Sequence, residues 1–381
     1  MKKKVLIITG ARSEYGLLKP VFSEMQKSKK LEPLLLVTGM HTLKKHGSTV
    51  NEIRNDGLPI AHVVNISEKD DMLSALANEI VGIKEYCLKN KPDLILVNGD
   101  RDESFAGAIV SGHLKIPLAH IHGGDVTGLV VDEYIRHATT KFAHLHFTAS
   151  PASYNRVLKL GEERSRVFYV GSVGLDRYSN MDFISKEKLS KKYNLDSGKK
   201  WFLVIHHPTP MDKILIKQQI NPLLVLLADI ENTEKVVIYP NSDTGGKIFI
   251  EEINKYKNRR DFHIYPNVSL QDHASLMKNV SMLIGNSSSG IIEAAYFKLP
   301  VVNIGNRQGN RERDANVINS EYDQTSITKA INLVLSGSFL TKCRKIKSLY
   351  KSGASKKIVE IIENNINKED LFLKKFTYAK I

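Results

Sequence analysis

The feature that most constrains this chain is an alternation: short apolar runs rich in β-branched residues, each followed by a turn and then by a stretch of helical periodicity. Such runs are apolar almost throughout, so the sheet they form must be covered on both faces. The pattern therefore predicts parallel sheets wrapped in helices. In the first half the predicted strands are 5–9, 33–37, 61–66, 93–97, 117–121, 144–148 and 167–170. The rhythm breaks at Gly171-Ser172-Val173-Gly174-Leu175-Asp176, and a polar, Lys-rich stretch (186–200) follows. Strands resume at 202–206, 235–239, 262–265, 281–284 and 301–304, and beyond Asn306 the pattern reads as helical only, ending in helices at 340–351 and 355–368.

At 381 residues the chain exceeds the ~100–200 residues of a usual domain. Two α/β, Rossmann-like domains are expected, 1–175 and 176–350, with 351–381 crossing back onto the first. Hydrophobic residues at 42% and charged residues at 25% are the balance of a chain folded throughout. The apolar opening run is too short for a secretory signal and has no small-residue cleavage site. The longest later apolar stretch, near 223–227, falls far short of the ~20 residues of a membrane span. Cys87 and Cys343 lack metal-binding or disulfide spacing, so a reducing, cytoplasmic setting without zinc is expected.

The formal net charge of +14 invites a nucleic-acid reading. Residues 341–381 hold eleven Lys/Arg against four Asp/Glu, on what read as amphipathic surface helices. No helix-turn-helix, RRM, KH or zinc-finger pattern accompanies them. A solvated basic surface and a basic cleft suited to a diphosphate account for the charge, and neither a nucleic-acid nor a membrane partner is expected.

Ligands of open parallel sheets bind beyond the carboxyl ends of the strands, so the turns after each strand are where chemistry is to be sought. After the first comes Gly10-Ala11-Arg12-Ser13-Glu14-Tyr15-Gly16. Arg12 stands at a helix start, either meeting a phosphate there or simply solvated. Neither GxGxxG nor GxxxxGK is present, which argues against a nicotinamide or ATP enzyme. Asn98-Gly99-Asp100-Arg101 puts a carboxylate beside a guanidinium, with Asp100 either capping a helix or taking part in chemistry.

Next comes His120-Ile121-His122-Gly123-Gly124-Asp125, followed by Asp132-Glu133-Tyr134-Ile135-Arg136-His137. Closely spaced glycines among convergent polar groups read as an active-site loop. His120, His122 and Asp125 lack a convincing further metal ligand, and Glu133 reads as an acid offsetting a helix dipole. In the second half, His206-His207-Pro208-Thr209, Asn241-Ser242-Asp243 and Gly285-Asn286-Ser287-Ser288-Ser289-Gly290-Ile291-Ile292-Glu293 each follow a strand. The serine loop, opening a helix predicted at 291–297, either offers donors to a diphosphate, with Glu293 accepting from ribose, or is an ordinary N-cap. Arg307, in Gly305-Asn306-Arg307-Gln308, adds a cation.

These motifs, in this order and over nearly the whole chain, resemble the hydrolysing UDP-N-acetylglucosamine 2-epimerases, including the branch that feeds sialic and other nonulosonic acids. The resemblance implies a GT-B fold: two Rossmann-like domains facing each other across a cleft, the first on the sugar side and the second on the UDP side, without metal or cofactor. It implies that Arg12, Arg101, His207, Asn241, Ser287, Ser288, Gly290, Glu293 and Arg307 bind the UDP-sugar. Asp100 and Asp132 match the family's catalytic carboxylates. Where many members carry Glu this chain has His122, as sialic-branch members do, so the proton work falls to Asp100 and Asp132 with His122 or Asp125.

The implied chemistry removes the C2 proton as UDP leaves C1, giving a 2-acetamidoglucal to which water adds with inversion at C2. N-acetylglucosamine, released as N-acetylmannosamine, is the expected sugar. The alternatives are a UDP- or GDP-linked 2,4-diacetamido-2,4,6-trideoxy sugar of a legionaminic acid route, a GT-B glycosyltransferase, and a non-catalytic nucleotide-sugar sensor. A homodimer or homotetramer is implied as well.

Overall fold

The computed structural model describes residues 1–44, 47–126, 131–179, 181–210, 212–240 and 244–377. The chain divides into two compact units, Met1–Ser179 with Tyr350–Ile381, and Asn180–Leu349.

The first unit is built on seven parallel strands: β1 (Lys3–Thr9), β2 (Leu31–Val37), β3 (Ile60–Val63), β4 (Leu94–Asn98), β5 (Leu118–Ile121), β6 (Leu145–Thr148) and β7 (Val167–Tyr169). Their order across the sheet is β3-β2-β1-β4-β5-β6-β7. Alternate residues serve opposite faces. Val5, Ile7, Leu35, Val37, Leu94 and Leu96 enter one core, while Leu6, Ile8, Leu36, Ile95 and Val97 enter the other. This is why the runs are apolar at every position. The order reverses between β1 and β4, and the crevice of such a sheet opens beyond the strand ends at that reversal.

The C-terminal helix Ala354–Asn365 belongs to this unit, burying Ile358, Val359 and Ile362 in the core shared with Leu18 and Phe22 of the helix Arg12–Gln26. Its start is held by Asp176, whose carboxylate accepts from Gly353 N–H at 2.5 Å and Ser355 N–H at 2.6 Å.

The second unit carries β8 (Lys200–Ile205), β9 (Thr233–Ile238), β10 (Phe262–Tyr265), β11 (Met282–Gly285), β12 (Val301–Ile304) and β13 (Val317–Ser320). They are ordered β10-β9-β8-β11-β12-β13, with the reversal between β8 and β11. Phe202, Val204, Ile284 and Val302 pack with Leu223, Leu227 and Phe249 in its core.

Three sequence expectations need correction. The chain beyond Asn306 is not helical only: β13 pairs with β12, and it escaped notice because Val-Ile-Asn-Ser is short and half polar at a sheet edge. The helix expected at 340–351 runs from Gly337 to Arg344 instead. Beyond it Ser348 Oγ (2.7 Å) and Leu349 N–H (3.0 Å) are taken by the Asp314 carboxylate, which draws the chain out of helical geometry. The helix expected at 291–297 starts earlier and spans Ser288–Ile292, because Ser287 caps it.

Candidate active site

In the first unit, the turns after β4 and β5 and the start of the helix Val131–Phe142 converge on Arg136, whose side chain is 1% exposed. One nitrogen donates to Glu133 Oε2 (2.7 Å) and to the Asp125 carbonyl (2.9 Å), and the other to the Asp100 carboxylate. A buried guanidinium must be paired, and its planar fork serves three turns at once. Asp100 does not cap a helix: the residue before Asp102–Leu114 is Arg101.

Asp125 Oδ1 accepts from Ser153 Oγ at 2.6 Å, and its other oxygen lies 3.6 Å from His122 Nδ1. His122 has φ +63°, a left-handed conformation costing a non-glycine residue about 1–2 kcal/mol. The conformation is held from outside, since His122 N–H donates to the Phe147 carbonyl at 2.9 Å. Such over-determined strain clusters at functional turns.

His120 sits wholly buried behind the turn. Its Nε2 donates to the Gly99 carbonyl at 2.7 Å, bracing the residue before Asp100. Burial brings its pKa down to about 3, so the ring is a neutral buttress. His137 Nε2 lies 3.2 Å from Glu133 Oε1. Glu133 therefore does more than offset the helix dipole, for it ties Arg136 to His137. Asp132 is exposed in the first turn of the same helix, and its charge bears on Arg101 and Asp102.

Next to this cluster, at the β1–β4 reversal, Arg101 Nε donates to buried Glu103 at 2.9 Å and its Nη2 to Met40 Sδ at 3.1 Å. Arg12 stands at the first position of its helix, 75% exposed, and pairs with Glu52 at 2.9 Å. Its side chain is not built into the rim.

In the second unit the turns after β8 and β11 clasp one another. Asn286 Oδ1 accepts from His207 N–H (2.7 Å), and Asn286 Nδ2 donates to the His207 carbonyl (2.8 Å). The Asn286 carbonyl accepts from Gln308 Nε2 (3.1 Å) and Arg307 Nη1 (3.4 Å), both in the turn after β12. Ser287 caps the following helix and lies 2.9 Å from the Ser289 hydroxyl. Gly285 has φ +135°, and a Cβ there would stand 2.0 Å from the Ile205 carbonyl oxygen, so glycine is required for β11 and β8 to meet at this height. Gly290 lets the helix lie against Leu283 and Val301. Ser287, Ser288, Glu293, Arg307 and His207 are all half-buried. Buried His206, its Nε2 on the Gln219 carbonyl (3.1 Å) and its pKa brought down to about 3 by burial, braces the turn as His120 does in the first unit. Asn241 lies outside the described residues.

Sequence reading missed Glu14, Glu79, Glu103, Arg136, Asn286 and Gln308. Arg136 lay inside a quoted motif but reads as a surface helix residue. Among the described residues no group of three or more His, Cys, Asp or Glu side chains is arranged to hold a metal ion, and no helix is long and apolar enough to cross a membrane.

A family profile described as UDP-N-acetylglucosamine 2-epimerase matches residues 23–363. A relative from Legionella pneumophila named UDP-N,N'-diacetylbacillosamine 2-epimerase (hydrolyzing) is 37% identical over 340 residues, covering 87% of this chain and 90% of its own. Polysialic acid biosynthesis protein P7 of Escherichia coli is 32% identical over 380 residues, 98% of this chain and 97% of that one. The solved UDP-GlcNAc 2-epimerase of Neisseria meningitidis bound to UDP-GlcNAc shares the fold, with a TM-score of 0.80 at 20% identity, over 95% of this chain and 100% of that one. With two parallel-sheet α/β units, strand-end turns of this composition and these likenesses, the chain is an enzyme of GT-B fold that belongs to the UDP-N-acetylglucosamine 2-epimerase family.

Proposed function

We propose that the chain is a hydrolysing 2-epimerase that converts UDP-N-acetylglucosamine and water into UDP and N-acetylmannosamine. The observation that carries this reading is the Arg136 cluster, in which Asp100, Asp125 with His122, and Glu133 with His137 are gathered at adjoining strand ends of one unit. The reaction moves two protons, one off C2 and one back onto its opposite face, and the C2 proton is weakly acidic. Positioned carboxylates and a histidine suit that work, at a typical ~10²–10⁴ in rate. Arg136 fixes the Asp100 carboxylate in place as the base that takes the C2 proton. Asp132, at the exposed end of the same helix, and the Asp125–His122 pair supply the second proton.

In the second unit, Ser287, Ser288 and the N-terminus of Ser288–Ile292 offer hydroxyl and N–H donors to the departing diphosphate, while Arg307 and His207 add positive charge and Glu293 takes ribose hydroxyls. Gly290 keeps that helix close to its sheet. Asn241, Arg12 and Arg101 complete the nucleotide contacts, with Arg12 exchanging Glu52 for phosphate. The assembled enzyme is a homo-oligomer working in the cytoplasm.

A second reading is favoured by the L. pneumophila relative at 37% identity: the same elimination and hydration on a UDP-linked 2,4-diacetamido-2,4,6-trideoxy sugar. Proton NMR in D₂O with each nucleotide sugar tests both. Free N-acetylmannosamine deuterated at C2 establishes the first, and turnover of the diacetamido sugar alone establishes the second. Release of unexchanged N-acetylglucosamine overturns both in favour of a transferase leaking to water.

A further inference from the structure

The rim of the first unit holds three acids for which the reaction has no use: Glu14, Glu79 and Glu103 are 3%, 2% and 2% exposed. They come from three helices, Arg12–Gln26, Met72–Asn90 and Asp102–Leu114. Glu103 takes Arg101 Nε at 2.9 Å, so it is the ionised member. Glu14 and Glu103 both lie against Gly10 with the Arg101 guanidinium paired to Glu103, and two buried ionised carboxylates cannot be sustained there on one cation. One proton must sit there. Glu14 Oε2 also accepts from Gly10 N–H at 2.8 Å, and Ser104 Oγ lies 3.3 Å from Oε1. Glu103 reaches Glu14 only because residue 10 is glycine: a Cβ there would stand 2.2 Å from the Glu103 carboxyl carbon.

We propose that Glu14 and Glu103 share a single proton, and that this acid–carboxylate clasp is the positioning device that ties the Gly10–Arg12 turn to Arg101 for binding the nucleotide sugar. The assignment of that ligand rests on the function proposed above, whereas the clasp itself rests on geometry.

The surroundings favour the protonated state. Burial, and after it the charge of Glu103, push the Glu14 carboxyl well above the usual carboxylate range. The charged and titratable groups facing the clasp are Arg101 at the start of the Glu103 helix, Asp102 on it, Glu79 from the helix Met72–Asn90, Asp132 from Val131–Phe142 and His41 from the turn after β2. Of these five, Glu79, Asp132 and His41 come from elements other than the Glu103 helix and its start, so the charge around the clasp is set by tertiary packing.

Glutamine reproduces the protonated acid: its carbonyl accepts from Gly10 and its amide donates to Glu103. Glu14→Ala should lose about tenfold in kcat/KM on UDP-N-acetylglucosamine, chiefly through KM, and Glu14→Gln should restore it to within about threefold while flattening the alkaline decline of the wild-type profile. Glu103→Gln frees Arg101 and should raise KM about tenfold with little change in kcat. Glu14→Gln as impaired as Glu14→Ala, or alkaline limbs that run parallel, would overturn the clasp. A readout without turnover separates this from the function. A folded-state pKa above the unfolded one gives stability that is present at low pH and lost as pH rises, so the melting midpoint of Glu14→Gln relative to wild type should climb between pH 5 and 8. A flat difference refutes the shared proton whatever the enzyme turns over. A climbing difference in a protein that turns over no UDP-sugar refutes the proposed function and leaves the proton where it is.

Discussion

At the reversal of the first sheet and beside it, the buried groups are Glu14, Glu79, Glu103 and Arg136, all able to carry charge, whereas at the reversal of the second they are Asn286, Ser289, Gln308 and a neutral His206. Both sheets are parallel and both turn in direction beside their first strand. The difference lies in which side chains the strand-end turns and the helices beside them bring together. A charged, proton-holding rim suits making and breaking C–H bonds. A rim of amides, hydroxyls, helix N–H groups and the Arg307 cation suits an anion that needs donors but no acid or base. The division of labour proposed here follows from that contrast, and it can be broken variant by variant.

The largest effect is expected at Asp100. Asp100→Asn should lower kcat by about 10²–10⁴ while UDP affinity, measured by calorimetry, stays near wild type. Loss of UDP affinity in the same variant would erase the distinction between the rims. Arg136→Leu should cost about 3–5 kcal/mol of stability in denaturant unfolding, because it strands the Asp100 and Glu133 carboxylates, and should also lower kcat.

In the second unit, Ser288→Ala and Arg307→Ala should each raise KM about tenfold, in line with about 1–3 kcal/mol for a lost bond to a charged group, with kcat within about threefold. A collapse of kcat instead would put proton chemistry on the rim of the second unit.

The smallest effects are in pH and stability. His120 and His206 have folded-state pKa values near 3, below the unfolded value of 6.5. The stability they contribute is present above pH 6.5 and lost as pH falls from there toward 3, so thermal midpoints should drop on acidification through both units. Burial, with the charges of Glu103 and Asp102, lifts Glu79 to about 8, and that sign is opposite: its contribution is present below about 4.5 and lost as pH rises to 8. Glu79→Gln should therefore blunt the alkaline loss of the first unit, read by thermal unfolding between pH 6 and 9, and leave the acid loss unchanged.

How far the sequence is legible depends on the range of the forces involved. The run at 301–304 is apolar at nearly every position and its strand is Val301–Ile304, because burial on both faces leaves a local mark. Val317–Ser320 carries no such mark, since an edge strand needs only half its side chains buried. The turns Asn98–Arg101, His120–Asp125 and Gly285–Gly290 stand out by their glycines and by their place after strands. Glu14 and Glu103 do not, because an acid in the first turn of a helix reads as a solvated partner of the dipole, and only neighbours from other helices bury it. Arg136 is hidden in the same way within a polar helix start.

The sequence by itself determined the class of fold, the parallel order of its sheets' building blocks and the turns where chemistry collects, since periodicity and glycine placement act over a few residues. Tertiary structure alone decided which charges are buried together. The burial of Glu14 against Glu103, and of Arg136 against Asp100, Asp125 and Glu133, brings together residues up to 89 positions apart, and electrostatic free energy depends on that proximity and on excluded water rather than on order along the chain.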